Sequence, residues 1–501
     1  MTPGPLRPAP VTANPAMAHA FVGSRRVIRL LIDTSWTSAP VDTSLGTILG
    51  RLTRQVASIA GSSEFSGPTM NPIVNSKLNR RDAIRTTLAT AAVGYHFGGG
   101  PPAVANGPNE RLNIACIGVG GRGGANVSGV KNQNLVALVD VDENRAGKAF
   151  SEHGKAARYA DYRKMFDELG SRLDAVVIST PDHTHFHPAH AAMEMGLHVY
   201  LEKPLAHNVW ETRTLTEMAR QRGLATQLGA QRHAMTNMHR VVELIQAGAI
   251  GNVTEVHSWV GGSRGMPEIP SDRPPVPEHL NYDLWLGPAP DRPYHPSFCP
   301  YGWRFWWNYG TGETGNWGCH ILDIPFWALG LQYPTRVDAS GPEVDPDRTP
   351  KSMLVTFRFP ASDSHGTVDL HWYHGKPPIL ERHGFSDRGN NTLFIGDDGM
   401  LLCGFDRREL LPAEDFAGYE PPEPSIPPSP GFHREWIEAC KGGPAATCHF
   451  DYSGPLAEAV LLGNVAYRAG GFDWDAETLR TGSNPDAQKL IRESYRAGWE
   501  V

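Results

Sequence analysis

Ile114-Ala-Cys-Ile-Gly118-Val-Gly120-Gly-Arg122-Gly123 decides the fold of this chain. An apolar run enters a G-x-G-x-x-G turn, and Leu135-Val-Ala-Leu-Val-Asp140 follows about twenty residues later, as in a dinucleotide-binding βαβ unit. In such a unit Gly118 lets the chain turn out of the strand, Gly120 lets the backbone approach a pyrophosphate, and Gly123 lets the next helix pack on the sheet. The helix N-terminus, with Arg122 in the turn, presents free N–H groups to phosphate. A carboxylate at Asp140 accepts hydrogen bonds from ribose hydroxyls and repels a 2′-phosphate, so NAD is expected in preference to NADP.

Outward from this stretch, residues 111–231 alternate short β-rich runs with helical stretches, as a parallel α/β unit does. Strands are predicted at 112–117, 135–139, 175–179, 198–201 and 225–228, and an amphipathic helix over 237–247 stopped by Gly248. The texture then changes. Runs at 253–260, 352–359, 366–373, 392–395 and 400–403 read as strands of a mostly antiparallel sheet, with a helix over 432–440 after a proline-rich linker at 421–430. The expected fold is α/β: an N-terminal Rossmann domain with a parallel sheet (110–231) and a C-terminal α/β domain with a large, mostly antiparallel open sheet (232–501).

Composition narrows the function classes. A length of 501 residues supplies two cores, and the net charge of −7 carries no basic excess that would suggest nucleic acid as a partner. No apolar run reaches the roughly 18 residues of a membrane span. Six cysteines without a C-x-x-C pair form no disulfide framework. His183, His185, His187 and His190 match no zinc-ligand spacing, so no metal is expected.

The N-terminal part reads as an address. Asn79-Arg80-Arg81-Asp-Ala-Ile84-Arg85, the mild apolar stretch 86–97 and Ala103-Val104-Ala105 resemble a twin-arginine export signal over 70–105. Met70 is then the expected start, with 1–69 unstructured or not made, and the expected location is periplasmic or otherwise exported, or cytoplasmic if the signal is unused.

Four ordered motifs resemble one family. Ile114–Gly123, Thr180-Pro181-Asp182-His183-Thr184-His185, Glu202-Lys203-Pro204 and Gly315-Asn316-Trp-Gly318-Cys-His320-Ile-Leu-Asp323 together resemble the Gfo/Idh/MocA oxidoreductases, in the exported branch of sugar-degrading bacteria. The resemblance covers about 111–501. It implies hydride transfer between NAD(P) and a hydroxyl carbon of a sugar or cyclitol, and a homodimer or homotetramer. It makes Lys203 the catalytic lysine and His320 the acid/base histidine, with Asp323 nearby. Thr180, Pro181, His185 and Glu202 would line the cofactor, and Gln231 and Arg232 the cleft between domains. Where the family usually carries an aspartate, this chain has Asn316, which can bind a substrate hydroxyl but cannot take a proton.

Alcohol oxidation needs a base for the hydroxyl proton and a cation for the developing alkoxide, roles that a histidine and a lysine can divide in either order. Trp303-Arg304-Phe305-Trp306-Trp307-Asn308-Tyr309 fits a carbohydrate-sized pocket, with Trp303, Arg304 and Trp307 as substrate contacts, or equally a hydrophobic plug. An exported enzyme has no outside nicotinamide pool, so the cofactor is expected to be tightly held. The expected function is an NAD-dependent sugar or cyclitol oxidoreductase. Its alternatives are an NAD-dependent glycoside hydrolase or lyase using transient ring oxidation, and a non-catalytic sugar-binding or scaffold protein.

Overall fold

The run Ala175-Val-Val-Ile178 is buried along its whole length, as a central parallel strand covered on both faces must be. In the computed structural model it is β4 of a six-stranded sheet. The structure describes residues 111–501 except 263, 363 and 364. The export-signal reading and residues 1–69 lie outside the described residues.

The first sheet comprises β1 (Asn113–Ile117), β2 (Asn134–Val139), β3 (Ala157–Tyr159), β4 (Ala175–Ile178), β5 (His198–Leu201) and β6 (Thr226–Leu228). All pairs are parallel, in the order β3-β2-β1-β4-β5-β6. This doubly wound order opens a ligand crevice at the carboxyl ends of β1 and β4, where the direction of winding reverses. The helix Val209–Arg222 starts with a reciprocal capping box between Asn208 and Glu211 and stops at Gly223, whose φ is +61°.

The second sheet contains β7 (Val253–Val260), β8 (Arg336–Ser340), β9 (Met353–Phe359), β10 (Val368–His374), β11 (Thr392–Gly396), β12 (Gly399–Cys403), β13 (Arg408–Leu411) and β14 (Phe472–Asp473). Its order is β13-β12-β11-β7-β10-β9-β8-β14, and the β7/β10 pair is parallel while its other named pairs are antiparallel. One face packs on the helix Phe450–Ala469, which buries Leu456, Val460 and Leu462 in the same core as Val355, Phe357 and Leu370. Each such side chain contributes roughly 2 kcal/mol.

The chain does not leave the first domain cleanly at residue 231. Phe432 and Trp436 of the helix Phe432–Cys440, with Cys448 and Phe450, return to the first core. Arg213 forks onto Glu458 at 3.0 and 2.9 Å, tying Val209–Arg222 to the long helix Phe450–Ala469.

Candidate active site

The glycine-rich turn has the shape its sequence requires. Gly118 lies at φ +77°, where a Cβ would come within 2.8 Å of the Ser179 carbonyl carbon; a Cβ on Gly123 would lie 1.9 Å from the Gly118 oxygen. The helix Arg122–Val130 therefore starts hard against β1. No side chain caps it and no acid sits in its first turn, so no side chain competes with an anion there, although Gly123 N–H donates to the Gly120 carbonyl at 3.0 Å. Asp140 holds this turn from below, accepting from Val119 N–H at 2.9 Å and Gly120 N–H at 3.0 Å. Burial raises its pKa, while hydrogen bonds from Asp142, Val119 and Gly120 N–H groups counter the rise.

These elements form one wall of a cleft of about 760 Å³. Gly118, Gly120, Arg122, Asp140, Thr180, Pro181, Glu202, Lys203, Gln231 and Arg232 line it, as do Trp303, Arg304, Asn316 and His320. Gly123 and His185 stand behind the wall. His185 Nδ1 lies 2.7 Å from the Pro204 carbonyl and Nε2 2.8 Å from that of Thr180, so this histidine positions both loops without lining the cleft.

Glu202 is an organiser. Its Oε1 accepts from Arg122 Nε at 3.0 Å, Asn126 Nδ2 at 2.9 Å and Gln231 Nε2 at 2.8 Å. Burial alone would raise its pKa, but Arg122, Lys203 and Asn126 together hold it below the usual carboxylate range.

Lys203 follows β5 through a cis Lys203–Pro204 peptide. Its Nζ donates to Asn316 Oδ1 at 3.2 Å, and Asn316 Nδ2 donates to Glu313 Oε2 at 3.0 Å. Glu313 is buried and paired with Arg264. Burial depresses the lysine's pKa against the opposing charges of Glu202 and Asp182. His320 lies one turn beyond Asn316. Burial, then the charges of Lys203, Arg232 and Arg122, push its pKa well below the ordinary value, and its buried Nδ1 has no hydrogen-bond partner. The neutral imidazole is therefore favoured on this wall of the cleft. Asp182 aligns the two halves by accepting from Thr311 N–H at 3.1 Å and Thr311 Oγ1 at 2.7 Å, three residues before Thr314.

Two further sequence expectations are corrected. Asp323 is 0% exposed and lies outside the cleft, 2.9 Å from His233 Nδ1 and accepting from the Tyr452 hydroxyl at 2.5 Å. Residues Thr314–Gly318 wind as a π-helical turn, and Asp323 opens the following helix Asp323–Leu329 with its carboxylate held in the core by His233 and Tyr452. Trp307 is buried in the second core, donating from Nε1 to the Asp345 carbonyl at 3.1 Å. The aromatic run divides: Trp303 and Arg304, the guanidinium 4.2 Å over the indole, face the cleft, while Trp306, Trp307 and Tyr309 are plug.

The sequence reading missed the C-terminal tail. Trp499 closes one end of the cleft beside Tyr162 and His187, with the Arg163 guanidinium 4.5 Å over its ring and its carbonyl 2.8 Å from His187 Nε2. Arg496 pins the tail to Asp283 at 2.7 Å and Asp291 at 2.9 Å. A lone tryptophan near a terminus carries no periodic signal that would place it here.

The donors present suit a dinucleotide: an uncapped helix N-terminus, a turn with no space for side chains, an acid at the end of β2, and an orphaned Nδ1 on His320. Sequence comparison agrees. Residues 112–230 match the oxidoreductase family's NAD-binding Rossmann fold, and residues 242–362 its C-terminal alpha/beta domain. Inositol 2-dehydrogenase of Rubrobacter xylanophilus is 30% identical over 172 residues, covering 33% of this chain and 48% of the relative. A glycosyl hydrolase family 109 protein of Solibacter usitatus is 32% identical over 170 residues, covering 29% and 36%. The chain thus spans about half or less of the length of these curated relatives. Among solved structures, the WlbA dehydrogenase from Bordetella pertussis, in complex with NADH and UDP-GlcNAcA, shares the fold with a TM-score of 0.51 at 14% identity, covering 72% of this chain and 96% of that one. The glycine turn, the Glu-Lys-Pro lysine and both matched domains place this chain in the Gfo/Idh/MocA oxidoreductase family, with an NAD-binding Rossmann fold.

Proposed function

We propose that this protein is an NAD-dependent oxidoreductase acting on a hydroxyl carbon of a sugar, sugar derivative or cyclitol, and that it keeps its cofactor bound through the cycle. The observation that carries the reading is the meeting of Lys203, Asn316 and His320 on the wall of the cleft that the glycine turn opens. When bound, NAD supplies the hydride acceptor. The uncapped helix N-terminus and the Gly118–Gly123 turn would hold its phosphates, and Asp140 its ribose.

The chain's own part is proton management and orientation. Lys203, anchored by Asn316, directs its ammonium at the substrate hydroxyl oxygen and steadies the negative charge that develops there. Neutral His320 takes the hydroxyl proton. Trp303 offers an aromatic face and Arg304 a guanidinium to a polyhydroxylated ring. The relative named inositol 2-dehydrogenase favours substrates of this class.

Retention of the cofactor is supported by the tail that folds Trp499 over the cleft end. With NAD retained, the electrons would have to go back to a second carbonyl compound or to the oxidised intermediate itself. The latter is the transient-oxidation route of NAD-dependent glycosidases, a second reading favoured by the family 109 relative. Export by the twin-arginine route belongs to the same proposal, resting on Asn79–Arg85, as does a homodimer or homotetramer, resting on family resemblance. Fractionation of a producing cell and light scattering test these two.

The test of the activity is change in nicotinamide absorbance when the protein, with NAD, meets myo-inositol and a panel of aldoses and glycosides. Reduction that disappears in K203A supports the reading. Silence across the panel, with aglycone release from glycosides, selects the second reading; silence in both assays contradicts both.

A further inference from the structure

A second constellation lies outside the cleft, on the face of the second sheet turned away from the Phe450–Ala469 helix. β7 and β10 pair in parallel with His257 opposite His371, and the two imidazoles stack with centroids 4.8 Å apart. Glu255, two residues before His257, projects to the same face. Its Oε1 is 2.9 Å from His257 Nε2 and 3.2 Å from His371 Nε2. None of the three lines the cleft.

The outer ring nitrogens fix which atoms converge. His257 Nδ1 is 3.0 Å from the Tyr373 hydroxyl, and His371 Nδ1 is 2.9 Å from Thr356 Oγ1. When each Nδ1–H donates to its hydroxyl, both Nε2 lone pairs and the carboxylate lone pairs face one another with no proton between them. His257 is 2% exposed, and its Nε2 makes no hydrogen bond despite the nearby carboxylate. In that tautomer the Nε2 lone pairs and the carboxylate repel one another unless a cation lies among them. With metal–nitrogen and metal–oxygen bonds of about 2.0–2.1 Å, tetrahedral ligand atoms sit roughly 3.3 Å apart, near the spacings found here.

We propose that His257 Nε2, His371 Nε2 and the Glu255 carboxylate bind one divalent transition-metal ion of the zinc class, leaving a fourth coordination position open. Two imidazoles and one carboxylate are a donor set for such an ion and a poor one for calcium or magnesium. Tyr373 and Thr356 orient the ligands from behind, as outer partners of metal-bound histidines do. Arg382 and His383 add positive charge beside His257, so affinity rests on the donor atoms and not on a negative potential. The ion clips β7 to β10, whose ligands stand more than a hundred residues apart in sequence.

The test uses the untagged chain, stripped with a chelator and titrated with zinc against a chromophoric indicator, and separately loaded with cobalt(II). The expected result is one equivalent per chain, at least tenfold weaker binding in H371A and E255Q, and intense cobalt ligand-field bands of a four-coordinate site. Thermal midpoint should rise with zinc in the wild type and not in H371A. Equal zinc affinity in wild type and H371A, or no stoichiometric binding, overturns the proposal. Should H371A fail to fold, the cobalt spectrum of the wild type decides alone, and a six-coordinate aquo-like spectrum refutes it. NAD binding by the stripped protein, followed in parallel, keeps failure of this site distinct from failure of the cleft reading.

Discussion

The side-chain oxygen of Asn316 accepts from Lys203 Nζ at 3.2 Å while its nitrogen donates to Glu313 at 3.0 Å, so one amide separates a cation from a carboxylate. An amide suits this position because it can accept from the lysine and donate to the carboxylate at once. A carboxylate at 316 would face Glu313 and repel it, and would raise the pKa of Lys203. N316D is expected to move the alkaline limb of the pH–rate profile upward and to lower kcat through the crowded acid pair. An unmoved alkaline limb would separate Asn316 from the lysine's electrostatics.

The wild-type profile should carry two displaced limbs. His320 has a depressed pKa, so its proton-accepting form survives as pH falls until that low value is reached, and the acid limb lies below the ordinary histidine value of about 6.5. Lys203 is depressed by burial, so its ammonium is lost as pH rises through a value below the ordinary lysine range. Measured kcat against pH checks both. Limbs at ordinary values would contradict the burial argument.

Loss of either reacting group should be severe for chemistry and mild for binding. K203A and H320A are expected to lower kcat by roughly a thousandfold. NAD affinity should change by only a few-fold, because the phosphate-binding turn and Asp140 are untouched. Calorimetric NAD titration alongside steady-state kinetics separates the two effects.

The tail makes a different prediction. W499A removes the ring that covers one end of the cleft, and NAD should leave about ten times faster, the rate equivalent of about 1.4 kcal/mol. Stopped-flow displacement reads this directly, and an unchanged off-rate would remove the tail from the account of retention.

Asp323 should behave as a structural residue. D323A strands His233 and the Tyr452 hydroxyl in the core and is expected to cost about 3 kcal/mol of stability. Below the new melting transition kcat should stay near wild type. A folded D323A with kcat lowered as in K203A would return Asp323 to the reaction.

The sequence was most informative where local chemistry is strict. Strands 253–260 and 198–201 and the helix 432–440 appear with the bounds expected, and the glycine turn, Asp140 and Lys203 reach the cleft. β3, β8, β13 and β14 were not foreseen; they are short edge or near-edge strands whose half-exposed residues lack alternation. The helix Phe450–Ala469 hides behind Gly454-Pro455, which reads as a break, and its nearly all-round burial leaves no amphipathic period. Asp323 is drawn from the cleft by His233 and Tyr452, which stand 90 and 129 residues away in sequence. Glu255, His257 and His371 meet only through the β7/β10 register, which no local pattern announces.

The most direct measurement of the central claim is the nucleotide released when the purified protein, never given nucleotide, is denatured before and after incubation with a polyol or sugar panel. The account predicts close to one equivalent of nicotinamide dinucleotide per chain, with its oxidised-to-reduced ratio shifted by a substrate in the wild type and not in K203A. An empty protein that also fails to bind added NAD would contradict it.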